Sequence, residues 1–313
     1  MPEKPHQLFT AESGSFTSHG VGCAATVYRP TAGAAEPTPV VVMAHGFGAV
    51  RALRLPAYAE RFAAEGYTVV TFDYRGFGDS DGSPRQVLDI SMQHEDWTAA
   101  LAFARTLHGV DPAKVVAWGT SFAGGHVISL AGQGEPLAAI IAQVPHVSGP
   151  AAVRSTGLIP SLRVSRLGVR DQLRAWTGRR PAYIDCAGVP GQTAVMTSPD
   201  AVPGMDKLIA ESGLEVDDYP TNVAARIVLK IGLYSPKRWA AGVRCPALVQ
   251  IVDDDAITPR RIAEATASRM AAPTVRVYPG GHFDPYVEPL FTSVIADQVS
   301  FLREHVPAAS TDQ

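Results

Sequence analysis

Long apolar runs are missing from this sequence. No stretch reaches the roughly 18–20 consecutive apolar residues that a helix needs to cross a bilayer, so no transmembrane helix is expected. The charged beginning, Met1-Pro-Glu-Lys-Pro-His, is not followed by an apolar run, so no secretory signal is expected either. The expected location is therefore the cytoplasm.

Cysteine is scarce, and neither sign of charge dominates. Cys23, Cys186 and Cys245 form an odd, scattered set, which predicts free thiols in a reducing compartment rather than a disulfide framework. The net charge of −3 argues against a nucleic-acid partner. With 46% apolar and 18% charged residues, the chain has the composition of a soluble globular protein with a sizeable core.

Apolar runs of strand length alternate with amphipathic stretches of helical periodicity along most of the chain. The predicted strands cover residues 40–44, 67–72, 114–118, 137–142, 247–252 and 275–278. The predicted helices cover residues 53–63, 86–107, 123–132, 259–271 and 288–305. This alternation predicts an α/β fold with a mostly parallel central sheet and helices on both faces. Residues 9–29 are predicted to form one or two antiparallel strands that lead into the sheet.

Residues 146–243 interrupt this alternation, because helical periodicity continues there without intervening predicted strands. A segment of this length is too long for a loop, so it is predicted to be an inserted helical cap, with residues 1–145 and 244–313 forming the core. Arginines concentrate in its first half and acids in its second half. The arginines could attract an anionic substrate, or the two halves could pair with each other or face water. Gly149 and Gly242, which flank the segment, are candidate hinges.

The strongest local motif is Gly119-Thr-Ser121-Phe-Ala123-Gly-Gly125, which follows a predicted strand and opens a predicted helix. A serine in this context occupies a tight turn, the nucleophile elbow, that lifts its side chain clear of the sheet. The residues two before and two after the serine must be small. Gly119 meets this demand, and Ala123 adds one methyl group to the usual glycine. Ser121 is therefore the candidate nucleophile.

A serine hydroxyl needs a neighbouring base, and the chain has nine histidines from which to choose. His282 follows the last predicted strand in a glycine-rich segment, where it can reach the sheet edge that carries Ser121. Histidines in terminal or helical polar positions, His94 among them, are expected to be solvated. His126 is expected to pack behind the elbow.

The base needs a carboxylate partner, and the attacked carbonyl needs hydrogen-bond donors. Asp253, Asp254 and Asp255 all follow a predicted strand directly, and their chemistry alone does not choose among them. The expected donors for the developing oxyanion are the backbone N–H groups of Phe122, which follows the serine, and of Phe47, in the loop His45-Gly-Phe47-Gly.

Two further residues are candidate substrate contacts. His146 ends a strand on the same edge of the sheet, although a structural role explains it equally well. Trp176 belongs to the helical periodicity of the insertion.

Together these motifs resemble those of the α/β-hydrolase superfamily over about residues 40–305. More narrowly, His45-Gly-Phe, Asp73-Tyr-Arg-Gly-Phe-Gly, the elbow and Gly280-Gly-His-Phe-Asp resemble bacterial capped hydrolases akin to dienelactone hydrolases and X-prolyl dipeptidyl peptidases. The resemblance selects Asp255, because the family's loop commonly ends in Asp, three residues and Pro. It implies an α/β-hydrolase fold and a Ser121–Asp255–His282 triad that needs no metal or organic cofactor. Dienelactone hydrolases use a cysteine nucleophile, so that substrate does not carry over.

The expected function is that of a serine hydrolase, carboxylesterase-like, acting on a small acyl substrate through an acyl-enzyme. A peptidase or a thioesterase or lactonase would use the same triad, and a non-catalytic ligand-binding member is a third alternative. Neither nucleic acid nor membrane is an expected partner. A homodimer through exposed helix faces is left open.

Overall fold

The computed structural model describes residues 8–31, 37–156, 158–215, 218 and 220–308. The strands are β1 (Phe9–Ser18), β2 (Val21–Pro30), β3 (Thr38–Ala44), β4 (Thr68–Phe72), β5 (Val110–Thr120), β6 (Ala139–Gln143), β7 (Tyr183–Ala187), β8 (Ala194–Met196), β9 (Asn222–Ala224), β10 (Pro246–Val252) and β11 (Ala272–Tyr278). The helices are α1 (Leu55–Ala64), α2 (Ile90–Thr106), α3 (Phe122–Gly132), α4 (Gly149–Thr156), α5 (Leu158–Trp176), α6 (Ala201–Glu211), α7 (Val228–Ile231), α8 (Arg260–Ala267) and α9 (Leu290–His305).

The described residues form an eight-stranded central sheet in the order β1-β2-β4-β3-β5-β6-β10-β11. β1 pairs with β2, and β2 with β4, in antiparallel fashion, whereas the pairings from β4 to β11 are parallel. The central strands β4 and β6 are buried along their whole length, so helices cover the sheet on both faces. This confirms the predicted fold class and the antiparallel strands at the start of the chain.

The strands and helices predicted from the sequence form because their apolar residues are the ones that become buried. In α1, Leu55, Tyr58, Ala59 and Phe62 recur at helical spacing and are buried against the sheet. The six predicted central strands and the five predicted helices all form, with ends that shift by a few residues. The carboxyl ends of β3, β5, β10 and β11 therefore lie along one edge of the sheet, which is where ligands bind in folds of this kind.

The insertion (residues 146–243) joins β6 to β10, which are neighbours in the central sheet. Its prediction as a segment without strands is wrong, because β7, β8 and β9 form a second sheet of three strands in the described residues. β7 pairs in parallel with β8 and antiparallel with β9. The division of the chain into a core and a cap with these boundaries remains a prediction.

The two glycines that flank the insertion allow close packing of the backbone, and the structure gives no sign that they act as hinges. A Cβ atom on Gly149 would lie 2.0 Å from the carbonyl oxygen of Ile231, and one on Gly242 would lie 2.1 Å from that of Gly132. Both are contacts with backbone atoms, which do not yield easily. The absence of a side chain at these positions lets two backbone segments touch, and the hinge hypothesis has no support in the geometry.

None of the described helices is both long and apolar enough to span a membrane. All three cysteines are free, as predicted; Cys23 and Cys186 are buried and Cys245 is partly buried.

Candidate active site

Ser121 stands in the sharp turn between β5 and α3, with φ 52° and ψ −114°. This left-handed backbone conformation is strained for a residue with a side chain, and the surroundings hold it in place. The Ser121 N–H donates to the carbonyl of Gln143, and the Ser121 carbonyl accepts from the N–H of His146 at 2.8 Å. A Cβ on Gly119 would lie 2.2 Å from the carbonyl oxygen of Ala123, so the position two before the serine admits only glycine. The fully buried Ala123 methyl is accommodated.

His282 lies on the loop after β11, and that loop is tied to the neighbouring one. The N–H of Gly280 donates to Asp253 Oδ1 at 3.0 Å, and the N–H of Gly281 donates to Asp284 Oδ2 at 2.7 Å. These bonds present the buried His282 ring to the elbow, where Nε2 lies 3.0 Å from Ser121 Oγ. A neutral imidazole in this position accepts the serine hydroxyl proton.

Asp255 is the aspartate that contacts His282. Its Oδ2 lies 2.8 Å from His282 Nδ1 and also accepts the Thr258 hydroxyl at 2.6 Å. Its Oδ1 accepts the N–H groups of Ile257 and Thr258 at 2.8 and 2.6 Å. Burial by itself raises the pKa of Asp255, but His282 and the Thr258 hydrogen bonds outweigh it and leave that pKa below its ordinary value. The ionised carboxylate therefore fixes the proton on His282 Nδ1 and leaves Nε2 as an acceptor.

The Phe47 and Phe122 N–H groups are the two predicted oxyanion donors, and no hydrogen-bond acceptor for either is found among the described residues. Phe122 is the first residue of α3, where backbone N–H groups lack an intrahelical partner. Within the described residues, neither amide donates to a backbone carbonyl outside regular structure. The loop with Phe47 approaches the elbow closely, since a Cβ on Gly46 would lie 2.9 Å from Ser121 Cβ. The two predicted donors thus flank the nucleophile.

A cavity of about 450 Å³ opens beside Ser121. Phe47 and Phe122 line it together with Ala256 and Ile257 of the loop that carries Asp255, and His146 lines it at the start of the insertion. The insertion supplies the other lining residues, Ala152, Pro190, Gly191, Val195, Met196, Thr197, Ser198, Pro199 and Ile231. Among these described lining residues there is no Asp, Glu, Lys or Arg. The space next to the serine is suited to an uncharged, mainly apolar group.

A second, much smaller recess of about 20 Å³ also borders Ser121 and His282. Ala49, Met205, Leu208, Phe283 and Tyr286 close it, so it is apolar as well. Ser121 therefore lies between a large and a small apolar space.

The two candidate substrate contacts have different positions. His146 lines the large cavity, where its ring is stacked 6.0 Å from that of Tyr234, and burial lowers its pKa to about 4. A neutral His146 therefore faces the site at neutral pH. Trp176 is absent from the cavity lining and is 75% exposed at the end of α5. The structure does not bring Trp176 to the site, because the opposite face of its helix is the one that packs inward.

One polar cluster behind the elbow was not predicted. His126 Nδ1 lies 2.6 Å from Tyr234 Oη and 3.0 Å from His94 Nε2, and its Nε2 lies 2.9 Å from Gln93 Oε1. His94 is partly buried and its Nε2 also lies 3.1 Å from Tyr234 Oη, so the expectation of a solvated His94 is wrong, and burial lowers its pKa to about 4. The members of this cluster come from distant parts of the sequence, so no local sequence pattern predicts that they meet. The cluster joins α2 and α3 to the insertion.

Comparison with known proteins agrees with this architecture. The family model of X-Pro dipeptidyl-peptidase (S15 family) matches residues 19–186, which is more than half of the chain. The quorum-quenching protein AidA of Acinetobacter baumannii is 43% identical over 292 residues, covering 93% of this chain and 94% of that protein. A monoacylglycerol lipase of Mycolicibacterium smegmatis is 30% identical over 295 residues, covering 92% and 96%.

Among solved structures, the α/β hydrolase GrgF from a Penicillium species is similar in fold. It has a TM-score of 0.79 and 21% identity, with 95% of this chain and 99% of that chain covered. The chain therefore belongs to the X-Pro dipeptidyl-peptidase (S15) family, has the α/β-hydrolase fold, and is a serine hydrolase.

Proposed function

We infer that the protein hydrolyses carboxylic esters, including cyclic ones, that carry an uncharged apolar group, and that it does so through an acyl-enzyme on Ser121. The observation that carries this proposal is the hydrogen-bonded chain from Ser121 through His282 to Asp255, which opens into an apolar cavity of about 450 Å³. The names of two relatives, a quorum-quenching protein and a monoacylglycerol lipase, are compatible with small acyl substrates.

In the first half of the reaction, Ser121 Oγ attacks the substrate carbonyl carbon while His282 Nε2 takes the hydroxyl proton. The negative charge that develops on the carbonyl oxygen meets the N–H groups of Phe47 and Phe122. His282 then gives its proton to the leaving alkoxide oxygen, the carbon–oxygen bond breaks, and the acyl group remains on Ser121.

In the second half, a water molecule replaces the alcohol. His282 takes a proton from the water as it attacks the acyl carbon, and then returns that proton to Ser121 Oγ as the acid leaves. Asp255 remains ionised throughout, where it stabilises the imidazolium that forms twice per turnover.

The lining of the cavity favours an ester over a peptide. A dipeptidyl peptidase must bind the free ammonium group of its substrate, and a buried ammonium without a carboxylate partner is costly. The described residues around the cavity supply no carboxylate for this purpose. The smaller recess, of about 20 Å³, limits the group on the other side of the scissile bond. A substrate with one extended and one small group fits both spaces.

The dependence on chain length tests this proposal. For p-nitrophenyl esters from acetate to octanoate, we expect kcat/KM to rise by roughly fourfold per added methylene, which corresponds to about 0.8 kcal/mol of burial, until the chain outgrows the cavity. Val195→Trp fills part of the cavity and should lower kcat/KM for octanoate at least tenfold, with little change for acetate. Val189→Trp, at an exposed position outside the lining, is the matched control. Equal kcat/KM values along the wild-type series would contradict the assignment of the cavity.

The oxyanion site can be tested through Gly46. A methyl group there would lie 2.9 Å from Ser121 Cβ and 3.2 Å from the Thr120 carbonyl oxygen, so Gly46→Ala must displace the loop that carries the Phe47 amide. We expect kcat to fall by about 10²–10³-fold, the usual cost of losing one oxyanion donor. Gly14→Ala, whose Cβ would meet Val27 Cγ2 at 3.4 Å and Phe103 Cζ at 3.8 Å, is the control, because both are ordinary contacts with side chains. A Gly46→Ala variant with normal kcat and an unchanged unfolding temperature would exclude Phe47.

A further inference from the structure

The outer face of α5 carries apolar side chains that the fold does not use. Leu162, Val169, Leu173 and Trp176 are 67%, 49%, 52% and 75% exposed. At 3.6 residues per turn these four positions fall within an arc of roughly 60°, so they form one continuous stripe, here called the α5 stripe. Scattered exposed apolar residues are common, but four large ones in line on one helix are not.

Arginines flank the α5 stripe along one side. Arg163, Arg166 and Arg170 are exposed and Arg174 is partly exposed, and they occupy the adjoining arc of roughly 80°. None of the four forms an ion pair within the described part of the chain. The pairing of these arginines with the acids of the insertion, which the sequence left open, is therefore not formed among the described residues.

The inner face of α5 accounts for the packing of the helix. Gly168 lies so close to the segment after β9 that a Cβ would come within 2.6 Å of Val228 Cγ2. The one acid of this helix, Asp171, is fully buried, where its Oδ2 accepts the Arg226 N–H at 2.9 Å and the Arg226 Nε at 2.7 Å. Among the residues of α5 whose side chains are described, none lines the cavity beside Ser121, so the outer face serves neither the packing nor the site.

We propose that the α5 stripe and its arginines dock the protein on an anionic lipid bilayer, with α5 lying in the plane of the surface. A helix with large apolar residues on one face and a cationic flank, and with low overall hydrophobicity, has the properties of an interfacial helix. The four stripe residues enter the boundary between headgroups and acyl chains, and the arginines contact lipid phosphates. This proposal departs from the sequence-based expectation of no membrane partner, because surface adsorption needs no membrane-spanning helix.

The charge of this face favours lipid over a second copy of the chain. In a symmetric contact through the α5 stripe, the arginines of both copies would approach each other. No exposed acid on α5 would compensate them, because Asp171 is buried and already paired. Anionic lipid headgroups supply the missing negative charge. The membrane proposal does not depend on the substrate proposed above. A failure to detect ester hydrolysis would therefore not contradict it.

Vesicle flotation of the full-length protein tests the proposal. We expect binding to vesicles of phosphatidylcholine and phosphatidylglycerol in equal parts, and binding at least tenfold weaker to phosphatidylcholine alone. Arg166→Gln with Arg170→Gln should weaken binding to the anionic vesicles roughly 25-fold, since each arginine contributes about fivefold. Arg261→Gln with Arg303→Gln, two exposed arginines on α8 and α9, is the charge-matched control and should bind more nearly as wild type.

The apolar contribution is measured separately. Leu162→Ser with Leu173→Ser should reduce vesicle binding at least tenfold, whereas Val277→Ser, at an exposed position on β11, should not. In a Trp239→Phe background, Trp176 is the one exposed indole of the three remaining tryptophans, and its emission should shift to shorter wavelength on the anionic vesicles. Turnover of a short soluble ester should be unchanged in each variant, which shows that the fold is intact.

Two results would overturn the proposal. The first is no binding to anionic vesicles at millimolar lipid, or binding that the stripe and arginine variants leave unchanged. The second is a dimer in light scattering that Leu162→Ser with Leu173→Ser converts to a monomer, which would assign the α5 stripe to a second copy of this chain.

Discussion

Replacement of Ser121 by alanine is expected to reduce ester hydrolysis by a factor on the order of 10⁴ to 10⁶. The substitution removes the oxygen that lies 3.0 Å from His282 Nε2, and with it the route through an acyl-enzyme. The elbow itself should survive, because the bonds that hold it involve the Ser121 backbone. The unfolding temperature should therefore stay close to that of the wild-type protein.

The matched control is Ser129→Ala, which removes another hydroxyl from the buried face of α3, 3.3 Å from Tyr234 Oη. It should keep nearly full activity. A fluorophosphonate should label the peptide that contains Ser121 in the wild type and in the control, and leave Ser121→Ala unmodified. Residual activity of Ser121→Ala within tenfold of wild type would rule out this serine as the nucleophile.

Replacement of Asp255 by asparagine is expected to lower kcat by about 10⁴-fold with the fold preserved. An amide can present its NH₂ group to His282, which favours the wrong tautomer, and it cannot stabilise the imidazolium by charge. Asp254→Asn, one position earlier and exposed, is the control and should retain normal kcat. A normal kcat for Asp255→Asn would contradict the proposed role of the carboxylate.

Asp255 should also contribute to the pH dependence of stability. Because its pKa is lowered in the folded protein, the carboxylate stabilises the fold at pH values above the ordinary aspartate pKa of about 3.9. That contribution is lost as the pH falls through the lowered pKa. The difference in free energy of unfolding between the wild type and Asp255→Asn should thus be constant near neutral pH and shrink in acid. Denaturant titrations at several pH values measure this difference in free energy of unfolding. A difference that grows as the pH falls would contradict a lowered pKa of Asp255.

The central fold was predictable because its signals are local. The central strands contain short apolar runs, helices such as α1 have an apolar stripe, and parallel strands joined by helices permit few arrangements. The elbow was predictable for the same reason, since Gly119 and Ser121 act within one turn. The bonds between Ser121, His282 and Asp255 form because three separate loops end at one edge of the sheet.

The choice of Asp255 among three aspartates needed the family resemblance, and the geometry now supplies the physical reason. Asp253 holds the histidine loop through the N–H of Gly280. Asp254 is exposed. Asp255 alone of the three is turned toward His282, with its second oxygen held by the N–H groups of Ile257 and Thr258. The three adjacent aspartates differ in burial and in hydrogen-bond partners, and neither can be read from the sequence.

The insertion was predicted less well, for two physical reasons. β8 and β9 have three residues each, too few for alternation to distinguish a strand from a loop. In α5, large apolar residues occupy the outer face as well as the inner one, so periodicity alone does not indicate which face is buried. Trp176 was therefore assigned to the substrate site, although it lies on the exposed side.

The position of Ile257 has a consequence for how this enzyme can change over evolutionary time. Ile257 lines the cavity beside Ser121, and its backbone N–H is one of the groups that hold Asp255 in place. A substitution that moves the backbone there changes the shape of the cavity and the alignment of the carboxylate together. Val195 lines the same cavity from the insertion, and among the described residues it forms no hydrogen bond with Ser121, His282 or Asp255. New substrate preferences can therefore accumulate through the insertion while the catalytic loops stay under constraint.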